Sequence, residues 1–232
     1  MAVKYRVARE SGVTLRLYHH PFASFCQKVL IAFYEKGIAF ERVPIDLGDP
    51  EQRAELARVW PLAKFPVLVD EERALTLPES GVIIEYLDRV APTPRLLADD
   101  ADAALRARLW ERFFDNYVAA PLTKIVTDEL RPDERRDAQG VGEAKALIAA
   151  AYAIFEDEIG SREWAAGDEF SLADCAAAPA LFYANVAVPV AGHPGLARYY
   201  ERLLARASFA RVIEEARPYR TLFPLNWPAS YA

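Results

Sequence analysis

The residues best suited to hold a ligand are Phe65, Pro66 and Val67, a short apolar segment around a proline. Proline cannot donate a hydrogen bond to a sheet, so we expect this segment at the start or the edge of a strand, and the bond before Pro66 can be cis. A bend of this kind leaves neighbouring backbone polar groups unpaired, those of Val67 especially. Such groups are suited to form main-chain hydrogen bonds with an extended peptide ligand.

A second candidate binding element starts at Glu79, thirteen residues after Pro66, and continues with Ser80. The apolar residues that follow, from Val82 to Leu87, have helical spacing, so Ser80 is predicted to lie at a helix N-terminus. Free backbone N–H groups at a helix N-terminus bind carboxylates. The two elements together predict a site that holds a peptide by its backbone and by one carboxylate end.

The order and spacing of these elements resemble the glutathione site of the cytosolic glutathione transferase superfamily, and the first helix region is similar to that of bacterial, theta-like, zeta-like and omega-like members. In this family a cis-proline and a Glu-Ser or Asp-Ser pair bind the tripeptide. The resemblance implies that glutathione is a co-substrate bound by Lys64, Phe65, Pro66, Val67, Glu79 and Ser80. Lys64 is placed to pair with the glycine carboxylate, although a solvated lysine fits this position equally well.

The same resemblance implies a nucleophilic thiolate. In the family the sulfur of glutathione lies near the N-terminus of the first helix, where a hydrogen bond stabilises its charge. A thiol beside a helix N-terminus or a cation has its pKa lowered from about 8.5 to about 3.5–7.5. The family pattern places an apolar electrophile pocket at Phe22, Trp110, Phe114 and Tyr117. An aromatic stripe with helical spacing is also typical of a helix core, so the role of the last three stays open at this point.

Ala23 departs from the family pattern. Theta-like and zeta-like transferases carry an activating serine at this position and omega-like ones a catalytic cysteine, whereas alanine supplies neither nucleophile nor hydrogen bond. Ser24, which is predicted to be the N-cap of the first helix, is our candidate catalytic residue, and a capping role alone fits it equally well. Cys26 is predicted to behave as a small buried hydrophobe, since residues 23–26 keep only the last cysteine of a Cys-x-x-Cys motif.

The hydrophobic periodicity predicts the elements that must position these residues. Strands are expected at 14–18, 39–45, 67–69 and near Leu75, and helices at 24–36, 50–58 and 79–90. The order βαβαββα resembles a thioredoxin-like α/β domain, which we assign to residues 13–91 after an N-terminal extension over 1–12. Residues 92–100, with two prolines, are the predicted linker.

Residues 101–232 are predicted to form an all-helical bundle domain. Helices are expected at about 101–130, 141–159, 172–184, 194–206 and 209–215. The pair Ser171 and Asp174 has the spacing of a capping box, and Phe170 is placed for a hydrophobic staple. The family has a similar box at the start of a buried helix, so we interpret Asp174 as structural.

Composition excludes several classes of function. The chain has 232 residues, 53% of them hydrophobic, and 28 Lys and Arg against 34 Asp and Glu give a net charge of −6. Without a basic run, nucleic acid is not an expected partner. No apolar run approaches the ~20 residues that span a bilayer, and the N-terminus lacks a secretory apolar core, so we expect a cytoplasmic protein without a membrane segment. Neither the two cysteines nor His19, His20 and His193 have metal-ligand spacing, so no metal is expected.

These features predict a glutathione transferase that conjugates the glutathione thiolate to small apolar electrophiles, and family analogy predicts a homodimer. Two alternatives stay open. A glutathione-dependent isomerase or dehalogenase would use the same site and turn over its substrate without net loss of glutathione. A non-catalytic glutathione-binding protein would keep Pro66 and Ser80 and would have lost thiol activation through Ala23.

Overall fold

A computed structural model describes residues 14–227, and the predicted extension over residues 1–12 lies outside this range. The first half of the described chain forms four strands and three helices in the predicted order βαβαββα, which is thereby confirmed. The elements are β1 Leu15–His19, α1 Ser24–Lys36, β2 Glu41–Pro44, α2 Pro50–Val59, β3 Val67–Asp70, β4 Leu75–Pro78 and α3 Ser80–Val90.

The four strands form one mixed sheet in the order β2-β1-β3-β4. Strands β1 and β2 are parallel, whereas β3 is antiparallel to both of its neighbours, β1 and β4. Side chains alternate across a strand, so Leu15 and Leu17 of β1 pack into the main core with α1 and α3, while Tyr18 packs with Leu56 of α2 on the opposite face. The sheet is therefore covered by helices on both faces.

The second half of the described chain is helical, as predicted. Its α-helices are α4 Ala101–Phe114, α5 Ala120–Glu129, α6 Ala138–Ile159, α7 Leu172–Ala187, α8 Pro194–Ala205 and α9 Ala207–Ala216. A 3₁₀ segment, Arg217–Leu222, follows α9. Helix α7 is buried along most of its length and packs against α1 and α4, so the cores of the two halves are continuous.

A π-helical turn, Asp115–Ala119, separates α4 from α5. The prediction of one helix over 101–130 is therefore wrong in its middle. Pro121 explains the break, because proline has no N–H to donate to the carbonyl group four residues earlier, which belongs to Tyr117. Turns of π-helix inside α-helices are often found at functional sites.

Buried polar contacts hold the segment that follows α3 and the start of α7. Asp88 near the end of α3 accepts hydrogen bonds from Lys36 Nζ at 2.6 Å and from the Leu97 N–H at 2.7 Å. The predicted capping box is confirmed at the start of α7, where Asp174 accepts from the Ser171 N–H at 2.8 Å and the Ser171 hydroxyl accepts from Ala173. Asp174 thus has the structural role that was predicted. None of the described helices is long and apolar enough to cross a membrane.

Candidate functional site

The candidate site lies at the edge of the sheet where β1 and β4 end and β3 begins. Val67, the first residue of β3, pairs with Tyr18 of β1 on one side and with Pro78 of β4 on the other. The chain leaves β1 and β4 at this edge and enters α1 at Ser24 and α3 at Ser80. The topology therefore brings together the residues proposed to hold glutathione and the residue proposed to activate it.

The backbone N–H and C=O groups of Phe65 are free to bind a ligand, whereas Val67 is part of the sheet. The Phe65–Pro66 peptide bond is cis and directly precedes β3. Among the described residues, no hydrogen bond involves the N–H or C=O group of Phe65. The expectation that free backbone groups occur especially at Val67 is thus corrected: they occur at Phe65, because β3 has neighbours on both sides. The side chain of Pro66 is buried, that of Phe65 half-buried and that of Lys64 exposed.

The N-terminus of α3 has free hydrogen-bond donors. Glu79 is its N-cap residue with φ 71° and an exposed side chain that caps no backbone group. Ser80 is only 5% exposed, and its hydroxyl forms no hydrogen bond within the described part of the chain. The first N–H groups of a helix have no partner inside the helix, so α3 directs uncapped amides and a hydroxyl to this edge. A non-glycine residue with positive φ is strained, and such strain is concentrated at functional sites.

A buried ion cluster from α1 and α4 supports this helix end. Lys28 Nζ of α1 lies 2.5 Å from Glu111 Oε1 of α4 and 2.7 Å from Asp115 Oδ2. Burial raises the pKa of Asp115 to about 6, although the charge of Lys28 opposes this effect. The carboxylate of Glu111 also contacts Gly81, where any side chain would clash with it. Glycine is therefore required for the close approach of α3 to α4.

The start of α1 differs from the prediction by one residue. The N-cap residue is Ala23, with φ −83° and ψ 124°, and the Gln27 N–H donates to the Ala23 carbonyl group at 2.9 Å. Ser24 is the first helical residue, so its prediction as an N-cap is wrong. Since alanine cannot cap, the first amides of α1 have no side-chain acceptor among the described residues. The Ser24 side chain is half-buried, and its hydroxyl has no hydrogen-bond partner among residues 14–227.

Two side chains that the sequence reasoning missed hold the loop before α1. Gln27 Nε2 donates to the Pro21 carbonyl oxygen at 2.9 Å and to the Tyr183 hydroxyl at 2.8 Å. The Tyr183 hydroxyl in turn donates to the Phe22 carbonyl oxygen at 3.0 Å. Burial raises the pKa of Tyr183 well above its usual value, so it stays a neutral donor. The only sequence signal was a polar Gln inside an apolar helix.

The aromatic residues predicted for the electrophile pocket separate into two groups. Trp110 and Phe114 are 5% and 1% exposed and pack edge-on against Phe155 of α6. They fill the helical core, so their prediction as pocket residues is wrong. Tyr117, in the π-helical turn, is 47% exposed, and Phe22 is half-buried.

Phe22 packs against an aromatic cluster that the sequence did not predict. Its ring lies 5.2 Å from Tyr183 and 6.1 Å from Phe223 between ring centroids, and Trp227 lies 6.2 Å away. The segment after α9 therefore covers one side of the loop that leads to Ser24. This contact gives the site an apolar wall made from both halves of the chain.

Cys26 takes no part in the open site. It is fully buried in α1, and burial raises the pKa of its thiol to about 12. A thiol with such a pKa is inert at neutral pH, because the thiolate is the reactive form. The prediction that Cys26 is a buried hydrophobe is confirmed.

The fold defines a two-domain protein with a thioredoxin-like domain followed by a helical domain. Residues 17–95 match the family model of the glutathione S-transferase N-terminal domain, and residues 118–207 match that of the C-terminal domain. The chain belongs to the cytosolic glutathione S-transferase superfamily.

Relatives and solved structures agree with this membership. Glutathione S-transferase GstB of Escherichia coli K12 is 27% identical over 193 residues, which cover 81% of this chain and 91% of that protein. The stringent starvation protein A homolog of Coxiella burnetii is 30% identical over 87% of this chain and 92% of its own length. The glutathione-bound structure of a glutathione S-transferase from Methylobacillus flagellatus has a TM-score of 0.79 at 29% identity, covering 85% of this chain and 98% of that one.

A further solved structure is a glutathione S-transferase from Methylobacterium radiotolerans in complex with glutathione sulfonate. It is 32% identical, with a TM-score of 0.76, and covers 85% of this chain and 93% of its own. Together the relatives support a glutathione transferase function in general terms for this chain.

Proposed function

We propose that this protein conjugates the thiolate of glutathione to small apolar electrophiles. One observation carries the proposal: backbone groups that are free to bind a ligand meet at one edge of the sheet. They are the N–H and C=O groups of Phe65, the first N–H groups of α1 and the first N–H groups of α3. An extended peptide with carboxylates and a thiol matches this arrangement. The structures with bound glutathione or glutathione sulfonate support the choice of ligand.

Each part of glutathione has a complementary group in the site. The cysteinyl backbone pairs with the open N–H and C=O groups of Phe65, as an added strand does. The γ-glutamyl carboxylate binds at the amides and hydroxyl of Ser80, and its ammonium group pairs with Glu79. Lys64 is exposed and has no ion-pair partner in the described part of the chain, so it is available to the glycine carboxylate.

The sulfur then lies at the N-terminus of α1, where the reaction takes place. A helix N-terminus carries about half a positive charge, which stabilises a thiolate over the neutral thiol. Ser24 adds a hydroxyl donor in the same helical turn. The thiolate attacks an electrophile held against Phe22 and its aromatic neighbours, with Tyr117 a further candidate for the pocket wall. Cytoplasmic location and the choice of electrophile stay predictions.

Ala23 favours one alternative, a glutathione-binding protein without turnover. The curated relatives include proteins named stringent starvation protein A homolog as well as transferases. The alternative predicts glutathione affinity without conjugation of any electrophile. An isomerase or dehalogenase would show substrate turnover with no net loss of glutathione.

A pH titration of the thiolate absorbance of glutathione, with and without the protein, tests activation directly. We expect thiolate to appear well below the pKa of free glutathione, and Ser80→Ala to weaken glutathione binding. Binding without this low-pH thiolate would support the non-catalytic alternative. Absence of binding would contradict the site itself.

We also propose that the protein is a homodimer through α3 and α4. Val82 of α3 is 44% exposed, and Leu105 and Leu109, one turn apart on α4, are 65% and 60% exposed. The two helices are adjacent, since Arg108 pairs with Glu85 at 2.8 Å. Large apolar side chains exposed on neighbouring helices are typical of a protein–protein interface.

A further inference from the structure

His20 lies between the two elements that would flank the sulfur of bound glutathione. It is in the loop between β1 and α1, where its carbonyl group accepts a hydrogen bond from the Ala23 N–H at 3.1 Å. Its imidazole ring stacks on the ring of Phe65, with 6.2 Å between centroids and an angle of 23°. The ring of Tyr219 approaches it edge-on, with 4.7 Å between centroids. The ring is thus fixed beside the residue whose backbone would hold the cysteine of glutathione.

The hydrogen bonds of His20 determine which nitrogen carries its proton. The Phe22 N–H donates to Nδ1 of His20 at 3.2 Å, so Nδ1 is an acceptor without a proton. In a neutral imidazole the other nitrogen, Nε2, is then protonated and acts as a donor. Burial lowers the pKa of His20, although Asp46 opposes this, so the neutral form is favoured at neutral pH.

This donor has no partner in the part of the protein that the structure describes. Among residues 14–227, no hydrogen bond involves Nε2 of His20. The ring is only half-buried, in contrast to that of the neighbouring His19, which is 1% exposed and on the core face of β1. A fixed N–H donor, free at the edge of the site, is available to a ligand.

We propose that His20 is a catalytic residue whose Nε2–H donates a hydrogen bond to the sulfur of bound glutathione, in place of the hydroxyl that Ala23 lacks. This inference rests on the proposed glutathione site. The thiol releases its proton to bulk water, and the thiolate then attacks the electrophilic carbon and forms the C–S bond. In a substitution, the electron pair of the broken bond departs with the leaving group. In an addition to a double bond, the electron pair moves to the adjacent carbon, and this carbon takes a proton from water. His20 keeps its own proton throughout.

Three substitutions of His20 distinguish the effect of its N–H donor from the effect of its aromatic ring. His20→Phe keeps the aromatic contacts with Phe65 and Tyr219 but has no N–H. His20→Gln retains an amide donor near the Nε2 position, whereas His20→Asn is too short to reach it and serves as a second loss variant where the Phe variant does not fold. His193→Phe is the matched control. His193 lies at the start of α8, is also half-buried and contacts the ring of Tyr152.

The readouts are the pKa of the bound thiol, from its ultraviolet thiolate absorbance, and kcat/KM for conjugation. We expect His20→Phe and His20→Asn to raise the thiol pKa by about one pH unit and to lower kcat/KM about tenfold. His20→Gln should stay within about threefold of the wild type, and His193→Phe should change neither readout. Affinity for S-methylglutathione should change less than about twofold in every variant. This ligand has no thiol, so it cannot form the hydrogen bond between His20 and the thiolate, which is worth about a factor of ten.

Wild-type thiol pKa and kcat/KM in both His20→Phe and His20→Asn would overturn the role of His20 and leave the proposed function intact. Failure of the wild-type protein to bind S-methylglutathione or glutathione would overturn both proposals. The two failures are therefore distinguishable.

Discussion

Lys28 and Glu111 form a fully buried ion pair that joins the two domains. Lys28 Nζ of α1 lies 2.5 Å from Glu111 Oε1 of α4, and both residues are 1% exposed. Because Glu111 also contacts Gly81 beside Ser80, one cluster supports the ends of α1 and α3 that form the candidate site. Buried charges are costly to leave unpaired, so this cluster makes the site depend on correct docking of the helical domain.

Lys28→Met should strongly destabilise the protein. Removing Lys28 leaves the buried Asp115 without a cation and Glu111 with only the exposed Arg112, whose Nε lies 3.2 Å from Glu111 Oε2. Losing one partner of a buried ion pair costs about 3–5 kcal/mol of the free energy of unfolding. Urea unfolding monitored by circular dichroism measures this change. Lys145→Met, at an exposed position on α6, is the control and should have little effect. A loss of less than about 1 kcal/mol for Lys28→Met would contradict the interpretation of the cluster.

Asp115 should make the stability of the protein depend on pH. Its pKa in the folded protein is raised from 3.8 to about 6, so the folded state holds this proton more tightly than the unfolded state does. The associated stability is present below about pH 4 and is lost as the pH rises through about 6, a change of up to about 3 kcal/mol.

Asp115→Asn removes this titration. The difference in free energy of unfolding between Asp115→Asn and the wild type should therefore grow in favour of the variant from pH 4 to pH 7. Urea unfolding at several pH values measures it, with Asp157→Asn at an exposed site on α6 as the control. A difference that is independent of pH over this range would rule out a raised pKa for Asp115.

Glu79→Gly should stabilise the protein and weaken its binding of glutathione. Glu79 has φ 71°, which glycine adopts without strain, so we expect a gain of about 0.5–1 kcal/mol in the free energy of unfolding. The loss of the carboxylate that pairs with the γ-glutamyl ammonium group should lower glutathione affinity about tenfold, or about 1.4 kcal/mol.

Ala74→Gly is the matched control for Glu79→Gly. Ala74 also has positive φ, 51°, but lies in the turn between β3 and β4 at the opposite end of these strands. It should stabilise the protein by a similar amount with unchanged glutathione affinity. Thermal unfolding and calorimetric titration measure the two quantities, and equal affinity in both variants would exclude Glu79 from the site.

Leu109→Glu should convert a dimer into monomers. The charge would be placed among Val82 and Leu105 on the apolar surface of α3 and α4, where burying an unpaired carboxylate is costly. Light scattering coupled to size-exclusion chromatography measures the mass. Leu147→Glu changes a leucine that is 43% exposed on α6 and should leave the mass unchanged. A monomeric wild-type protein would contradict the proposed interface.

The sequence predicts those parts of the fold and site that depend on local chemistry. Pro66 marks the start of β3 because proline cannot donate within a strand, and Ser80 marks the start of α3 because apolar periodicity follows it. The capping box at Ser171 is local in the same sense. Pro121 was an overlooked local signal, since it explains the π-helical turn before α5.

Contacts between distant parts of the chain are not predictable in this way. The spacing of Trp110 and Phe114 fits a pocket wall as well as a core. The packing of α6 against α4 places both residues in the core. Tyr183 and Tyr219 of the helical domain contact the loop before α1. Tyr183 lies 161 residues beyond Phe22, to which it donates a hydrogen bond. No periodicity within either segment indicates such a contact.

Ala23→Ser should increase the conjugation rate, because it supplies the hydroxyl that the N-cap position of α1 lacks. No side chain in the described range caps the first amides of α1, so a hydroxyl at the N-cap position would lie beside the proposed sulfur. One additional hydrogen bond to a thiolate is worth about 1.5–3 kcal/mol, which corresponds to at least about tenfold in kcat/KM. Ser24→Ala should lower kcat/KM by a similar factor, because it removes the hydroxyl donor in the first turn of α1.

The double substitution, Ala23→Ser with Ser24→Ala, then separates the two positions. Because the serine introduced at the N-cap position would supply the hydroxyl that Ser24→Ala removes, we expect the double variant to recover at least the wild-type rate. Steady-state kinetics with an aromatic halide measure these rates, and Ser161→Ala at an exposed site after α6 is the control. Unchanged turnover and unchanged KM for glutathione in Ser24→Ala would exclude a catalytic role for Ser24 and leave activation to the helix amides and His20.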